Sequence, residues 1–300
     1  MIDLAERAGA SVDPDPDTVA AATAGLPLVL VGRGPAAEPG ITRLFDVVVD
    51  DPGPVVETVE RCPLASVTLA LVLRATTQLD VPSGLAAESA AYSTVQAGPE
   101  FRRWRASRPA RHPVPDNRPA VLVDRGGDSV LALTLNRPHV HNAFSTSMRD
   151  GLAEGLLLAA SDSSVERVML SGAGPSFCSG GDLDEFGTFG DPACAHLVRL
   201  TRSPAALLAR LSSRTRVDIH GATMGAGIEL AAFAGRVVAH PDTVIALPEV
   251  GLGLIPGAGG TVSVPRRIGR QRTAELALSG RHLDAPTALS WGLVDEISPP

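Results

Sequence analysis

Apolar and polar positions change period several times along the chain, and each change marks an element. Val121-Leu122-Val123 and Val130-Leu131-Ala132-Leu133-Thr134-Leu135 flank Gly126-Gly127-Asp128, which reads as a β-hairpin. Leu26 to Val31 and Phe45 to Val49 are shorter candidate strands. Between them and the hairpin, helical spacing predicts Pro54 to Arg61, Leu64 to Thr76 and Gly84 to Arg105, the last kinked near Gly98-Pro99. That last helix carries Leu85, Tyr92, Val95, Phe101 and Trp104 as its apolar residues. Ser147 to Ala160 is a helix with Met148, Leu152, Leu156 and Leu157 on its apolar face, followed by a buried strand at Val168 to Ser171. Pro192 to Leu211 reads as one helix. Thr215 to His220 reads as a strand in which Arg216 and Asp218 need partners or an exposed face. Thr273 to Leu278 is helical, and Asp284 caps a final helix through Leu289.

Residues 1 to 20 show little periodicity and read as a loosely docked tail, while Arg108 to Pro119 is rich in proline and charge, as linkers are. The pattern therefore divides the chain into residues 1–115, an α/β extension that is mainly helical, and residues 116–300, an α/β core. Its 44% hydrophobic residues over 300 positions suffice for a substantial core. Formal net charge is −7, and all 26 basic residues are arginine, which argues against nucleic acid as a partner. No basic-then-apolar leader and no apolar run of about twenty residues appears, so no membrane association is expected. Cys62, Cys178 and Cys194 are an odd number at spacings that suit neither a metal nor a disulfide framework, which fits a cytoplasmic protein with no bound metal.

Candidate chemistry concentrates in Gly221 to Gly260. Gly225-Ala226-Gly227 lets a strand turn tightly into the helix Ile228-Glu229-Leu230-Ala231, leaving first-turn N–H groups free for a developing oxyanion. Glu229 falls in that first turn. Glu249 follows Thr243-Val244-Ile245 and precedes the glycine-rich Gly251 to Gly260. Histidines 139 and 141 lie two apart without carboxylate partners, so neither reads as catalytic. Cys178 likewise lacks a histidine placed to activate it. The arginines at 266, 267, 270 and 272 read as a solvated helix face, and His196 as a surface or packing residue.

The succession of Gly-rich turn with Glu229-Leu230, then Pro248-Glu249, then Ile255-Pro256-Gly257-Ala258-Gly259-Gly260-Thr261 resembles the enoyl-CoA hydratase/isomerase (crotonase) superfamily. Gly172 to Leu183 resembles that family's first oxyanion loop, and Asn136-Arg137-Pro138 with Asn142-Ala143 its segment beside the CoA nucleotide. The resemblance, over about residues 119 to 297, implies a crotonase-like (ClpP/crotonase) fold of repeated ββα units, assembled as a homotrimer or homohexamer. It implies an acyl-CoA thioester substrate, no separate cofactor, and an oxyanion hole from the N–H groups of Gly181 and Ala226. Glu229 and Glu249 would then hold the water that adds to a trans-2-enoyl-CoA. Arg137, His141, Ala143, Ser179, Asp182 and Leu183 would face CoA, with Asp182 charging the start of the next helix. Retention of both glutamates favours a hydratase; the alternatives are a double-bond isomerase or an acyl-CoA-binding protein without turnover. Phe45 to Asp50, Cys62-Pro63-Leu64-Ala65, Glu88, Gly98-Pro99-Glu100-Phe101 and Arg108-Pro109 resemble, in order, the segments that follow the core in this family. Residues 45 to 110 are accordingly expected to supply from the front the helices that usually come last; the alternative is a convergent helical extension packed on the core.

Overall fold

The structure, a computed structural model, describes residues 2–3, 16–34, 42–109, 118–126 and 129–298. Its front part holds β1 (Ile2–Asp3), α1 (Pro16–Thr23), β2 (Val31–Arg33) and β3 (Val47–Val49), with the three strands in one small parallel sheet. Four helices follow: α2 (Gly53–Arg61), α3 (Pro63–Thr76), α4 (Val81–Gln96) and α5 (Pro99–Ala106). The predicted long third helix is thus two, because Gly98 is extended (φ −80°, ψ 168°) and Pro99 opens the next helix. The tail reading needs correction where residues are described, since Ile2–Asp3 pairs with Gly32 and Arg33 and residues 16–23 are helical. The strand expected from Leu26 is confined to Val31–Arg33. Most of the expected linker, residues 110–117, lies outside the described residues, as do residues 127 and 128 of the hairpin turn.

The core begins with β4 (Val121–Arg125) and β5 (Val130–Leu135), antiparallel with Val121 opposite Leu135. In β5, Leu131, Leu133 and Leu135 are buried and their neighbours half-buried, the alternation the pleat dictates. Then come α6 (Thr146–Ser161), β6 (Arg167–Gly172), α7 (Pro192–Thr201), α8 (Pro204–Leu211), β7 (Thr215–Ile219), β8 (Ala222–Met224) and α9 (Ala226–Ala231). The chain continues through β9 (Arg236–Ala239), β10 (Val244–Ala246), α10 (Gly260–Ser279), β11 (Leu283–Asp284), α11 (Ala285–Trp291) and β12 (Glu296–Ile297). Six strands form one sheet in the order β12-β9-β7-β6-β5-β4, parallel except for β4, and β11-β10-β8 form a second. The expected helix from Pro192 breaks before Pro204, where the Ser203 hydroxyl caps α8 by accepting from Ala206 N–H. In β7, Thr215, Val217 and Ile219 point inward while Arg216 and Asp218 share the half-exposed face and pair at 2.8 Å, so no charge is buried there.

One apolar cluster runs from Val31 and Val47 through Leu69 and Phe101 to the sheet residues Leu131, Val217 and Val237. The front helices therefore pack into the core. Polar ties reinforce the join: Asp46, buried, accepts from Leu30 N–H, from Arg74 (2.6 and 2.9 Å) and from Arg270 (3.2 Å). Glu100 accepts from Leu64 and Ala65 N–H at the start of α3. Of the arginines on α10, Arg267 and Arg270 are half-buried ties, while Arg266 and Arg272 are exposed, as expected for a solvated face, and still reach protein partners. Arg266 reaches the Leu79 carbonyl, Arg267 the Ala232 and Ala234 carbonyls and Asp295, Arg270 Asp46, and Arg272 the Trp291 ring.

Candidate active site

Two loops run side by side under the site. Cys178 pairs with Thr223 in parallel, with Cys178 N–H on the Ala222 carbonyl and Met224 N–H on the Cys178 carbonyl. Three residues further along each loop lie Gly181 and Ala226. Their N–H groups donate to no protein group among the described residues, although most N–H groups around them are bonded. Ala226 opens α9, where first-turn donors have no intrahelical acceptor. The turn needs glycine before it. Gly225 has φ +45°, and a Cβ there would lie 2.1 Å from Glu249 Oε1.

Both glutamates of the motif line the same cavity, of about 270 Å³, together with Gly181, Asp182 and Ala226. Glu229, on α9, is buried, and its Oε2 accepts from Ala258 N–H (2.7 Å) and Gly260 N–H (2.8 Å). Glu249 begins a 3₁₀ turn over Glu249–Leu252, and its buried Oε2 has no hydrogen-bond partner. A third buried carboxyl completes the cluster. Glu88, from α4, accepts Gly259 N–H at 2.7 Å, Thr261 N–H at 2.8 Å and the Thr261 hydroxyl at 2.7 Å. Four successive N–H groups, residues 258 to 261, thus alternate between Glu229 and Glu88.

Burial dominates the electrostatics. It raises the Glu88 carboxyl to about 7 against the pull of the Thr261 and Gly259 donors, and Glu249 to about 8. Glu229 is pushed well above the carboxylate range by burial first, then by the charges of Glu249 and Glu88, against its two N–H donors. Near neutral pH the cluster therefore retains protons that exposed glutamates would have lost.

The residues expected to face CoA divide. Asp182 lines the cavity, whereas Arg137, His141, Ala143, Ser179 and Leu183 lie outside its lining. Arg137 donates to the Ala143 carbonyl (2.6 Å) and pairs with Asp182 (2.8 Å), His141 Nδ1 contacts the Ser176 hydroxyl (2.9 Å), and Ser179 N–H donates to the His141 carbonyl. These bonds lace the 137–144 and 176–183 loops together. The expected helix after Asp182 is absent: residues 183 to 188 form turns, and Asp182 accepts from Asp184 N–H besides pairing with Arg137. Cys178 is buried, with burial raising its thiol to about 12, so it is inert as a nucleophile. His196 Nδ1 meets the Ser89 hydroxyl at 2.9 Å. Among the described residues, no group of three or more His, Cys, Asp or Glu converges as a metal site would.

Periodicity placed Tyr92 on an apolar face and gave Glu88 no site role, yet both line the cavity, as does Arg199 of α7. The residues that converge here are distant in sequence, so spacing carries no trace of their meeting. Only the ordered resemblance of residues 45 to 110 pointed toward Glu88.

Comparison with known proteins accords with this geometry. Residues 125–300 match the enoyl-CoA hydratase/isomerase family. The Bacillus subtilis protein YngF is 36% identical over 182 residues, 60% of this chain and 70% of its own length. The enoyl-CoA isomerase/hydratase fer4 of Mycosarcoma maydis is 36% identical over 179 residues, 57% of this chain and 65% of its own. The crystal structure of an enoyl-CoA hydratase from Thermoplasma volcanium superposes with a TM-score of 0.54 at 33% identity, covering 60% of this chain and 72% of that one.

Proposed function

The chain belongs to the enoyl-CoA hydratase/isomerase family, and from that premise we propose that it adds water to a trans-2-enoyl-CoA, giving the 3-hydroxyacyl-CoA. The observation that carries the reading is the pair of buried carboxyls, Glu229 and Glu249, lining one cavity with two uncommitted N–H groups. The thioester carbonyl accepts from Gly181 and Ala226, whose donors stabilise the enolate more than the ground-state carbonyl. Water sits between the glutamates; one takes its proton as oxygen bonds to C3, and the other delivers a proton to C2. The net change is one water added, and the pair ends with the proton count it began with. Burial suits this task, because a pair with raised pKa values holds a proton to give at neutral pH.

CoA is the handle of the substrate, and no separate cofactor enters the proposal. The reading includes the front helices: α4 brings Glu88 to the loop that holds Glu229, so residues 45 to 110 do for this core the covering work that the resemblance assigns to helices after it.

Loss of the conjugated enoyl-thioester absorbance of crotonyl-CoA tests the proposal, with wild type beside Glu229→Gln and Glu249→Gln. Each substitution is expected to lower kcat/KM by about 10²–10⁴, the range of a lost general acid or base. A double-bond shift needs one proton-transfer carboxylate, so turnover that persists in Glu229→Gln would favour an isomerase. Tight thioester binding without turnover in wild type would favour a binding protein.

A further inference from the structure

Beyond the reacting pair, the cavity carries a second set of polar groups that hydration does not use. Arg199 of α7 and Tyr92 of α4 both line it, amid Leu85, Phe186 and Phe189. Three arginines line this cavity. Arg149 pairs with Asp150 at 2.8 Å and Arg202 with the same carboxylate at 3.6 Å, whereas Arg199 has no acidic partner among the described residues. Its Nε donates to the Ser89 hydroxyl (3.0 Å), and its Nη2 to the Ser89 carbonyl and the Ser93 hydroxyl. Those neutral acceptors satisfy two of its three nitrogens and none of its charge. Nη1 donates to no protein group among the described residues.

The guanidinium lies 4.7 Å from the centroid of the Tyr92 ring. Tyr92, the chain's one tyrosine, is 8% exposed, and its hydroxyl has no hydrogen-bond partner among the described residues. Burial, above all, raises its pKa, so the phenol stays a donor. Glu88 is near enough to act on Arg199 at a distance, but its oxygens are taken by residues 259 and 261. Neither Arg199 Nη1 nor the Tyr92 hydroxyl is sealed away from solvent, so both donors stay open to an acceptor that enters the cavity.

From this geometry we propose that Arg199 and Tyr92 form a carboxylate-binding subsite at the acyl end of the cavity, so that the thioester taken by this chain ends in a carboxylate. The inference rests on the hydratase reading for where the acyl group lies. It favours a short acyl chain, because the Tyr92 ring packs on Gly257, next to the Ala258 and Gly260 N–H groups that hold Glu229. An arginine fork beside a hydroxyl donor suits a carboxylate better than a lone hydroxyl or ketone, which would leave the charge uncompensated.

The test compares kcat/KM of the full chain on trans-2-hexenedioyl-CoA and on trans-2-hexenoyl-CoA. These differ only at the far end of the acyl group, so every contact to CoA cancels in the ratio. Wild type is expected to favour the dicarboxylic thioester by about tenfold or more, the worth of one charge-assisted hydrogen bond. Arg199→Gln should bring that ratio to about one and Tyr92→Phe should lower it in part; because the readout is a ratio, a loss of folded protein does not mimic the effect. A wild-type ratio near one, or a ratio that Arg199→Gln leaves unchanged, overturns the subsite while the hydratase reading stands. If neither thioester is hydrated, the hydratase reading has failed, and titration calorimetry with the same two thioesters reads the subsite alone. A tenfold tighter Kd for the dicarboxylic one, lost in Arg199→Gln, supports it; equal Kd values overturn it.

Discussion

Glu249 occupies a position that costs the fold stability. It is buried, its Oε2 has no donor, and burial lifts its carboxyl to about 8 from an ordinary value near 4.5. Between those pH values the native state holds a proton on Glu249 that the unfolded chain has released, so this group's contribution to stability falls as pH rises from about 4.5 to 8. The isosteric Glu249→Gln removes the ionisation. It is expected to unfold at higher urea than wild type at pH 8, by on the order of 1–3 kcal/mol, and to match wild type within about 1 kcal/mol at pH 4.5. Equal midpoints at both pH values would show that Glu249 is not held in a protonated state by the fold. At this scale the sequence was legible where chemistry recurs in a fixed local pattern. Glu229, Glu249, Gly181 and Ala226 could be named because each sits in a short motif. Arg199, Tyr92 and the cavity role of Glu88 could not, because their meaning comes from helices that approach one another only in the folded chain.

At the scale of elements, hydrophobic period located the helices and strands well and their breaks less well. The interruption at Gly98-Pro99 was visible, while that before Pro204 was hidden by apolar spacing that continues across it. Arg266 and Arg272 on α10 are exposed as their charge suggests, but Arg267 and Arg270 are half-buried for a physical reason: an arginine can lay its stem along an apolar surface and carry its head to a distant partner, so a charged position need not be solvated. Arg267 is the strongest case. Its guanidinium donates to the carbonyls of Ala232 (2.9 Å) and Ala234 (2.6 Å), just beyond α9, and pairs with Asp295 at 3.1 Å. Arg267→Ala leaves these half-buried acceptors unpaired beside the helix that bears Glu229, and is expected to cost about 2–4 kcal/mol. Arg272→Ala, which loses a ring contact and one long hydrogen bond to Trp291, should cost about 1 kcal/mol or less. Urea denaturation of both variants checks the order; equal losses would mean that the Arg267 bonds contribute nothing beyond a surface charge.

For the whole molecule, the sheet core and its family could be read ahead, since residues 125–300 carry the recurrent motifs. The packing of the front helices could not, because it is set by contacts across most of the chain: Glu88 to Gly259 and Thr261, Thr76 to Thr261, Asp46 to Arg270. Those contacts tie the loop that holds Glu229 to helices separated from it by more than 150 residues, so the site is a property of the assembled chain. The reaction proposed for this assembled site is addition of water across a conjugated thioester. The most direct measurement is the mass spectrum of the product formed from a trans-2-enoyl-CoA in water enriched in ¹⁸O and, separately, in D₂O. Hydration predicts a 3-hydroxyacyl-CoA carrying one ¹⁸O at C3 or, in D₂O, one carbon-bound deuterium at C2. A thioester of unchanged formula, with a displaced double bond and no ¹⁸O, would contradict the account.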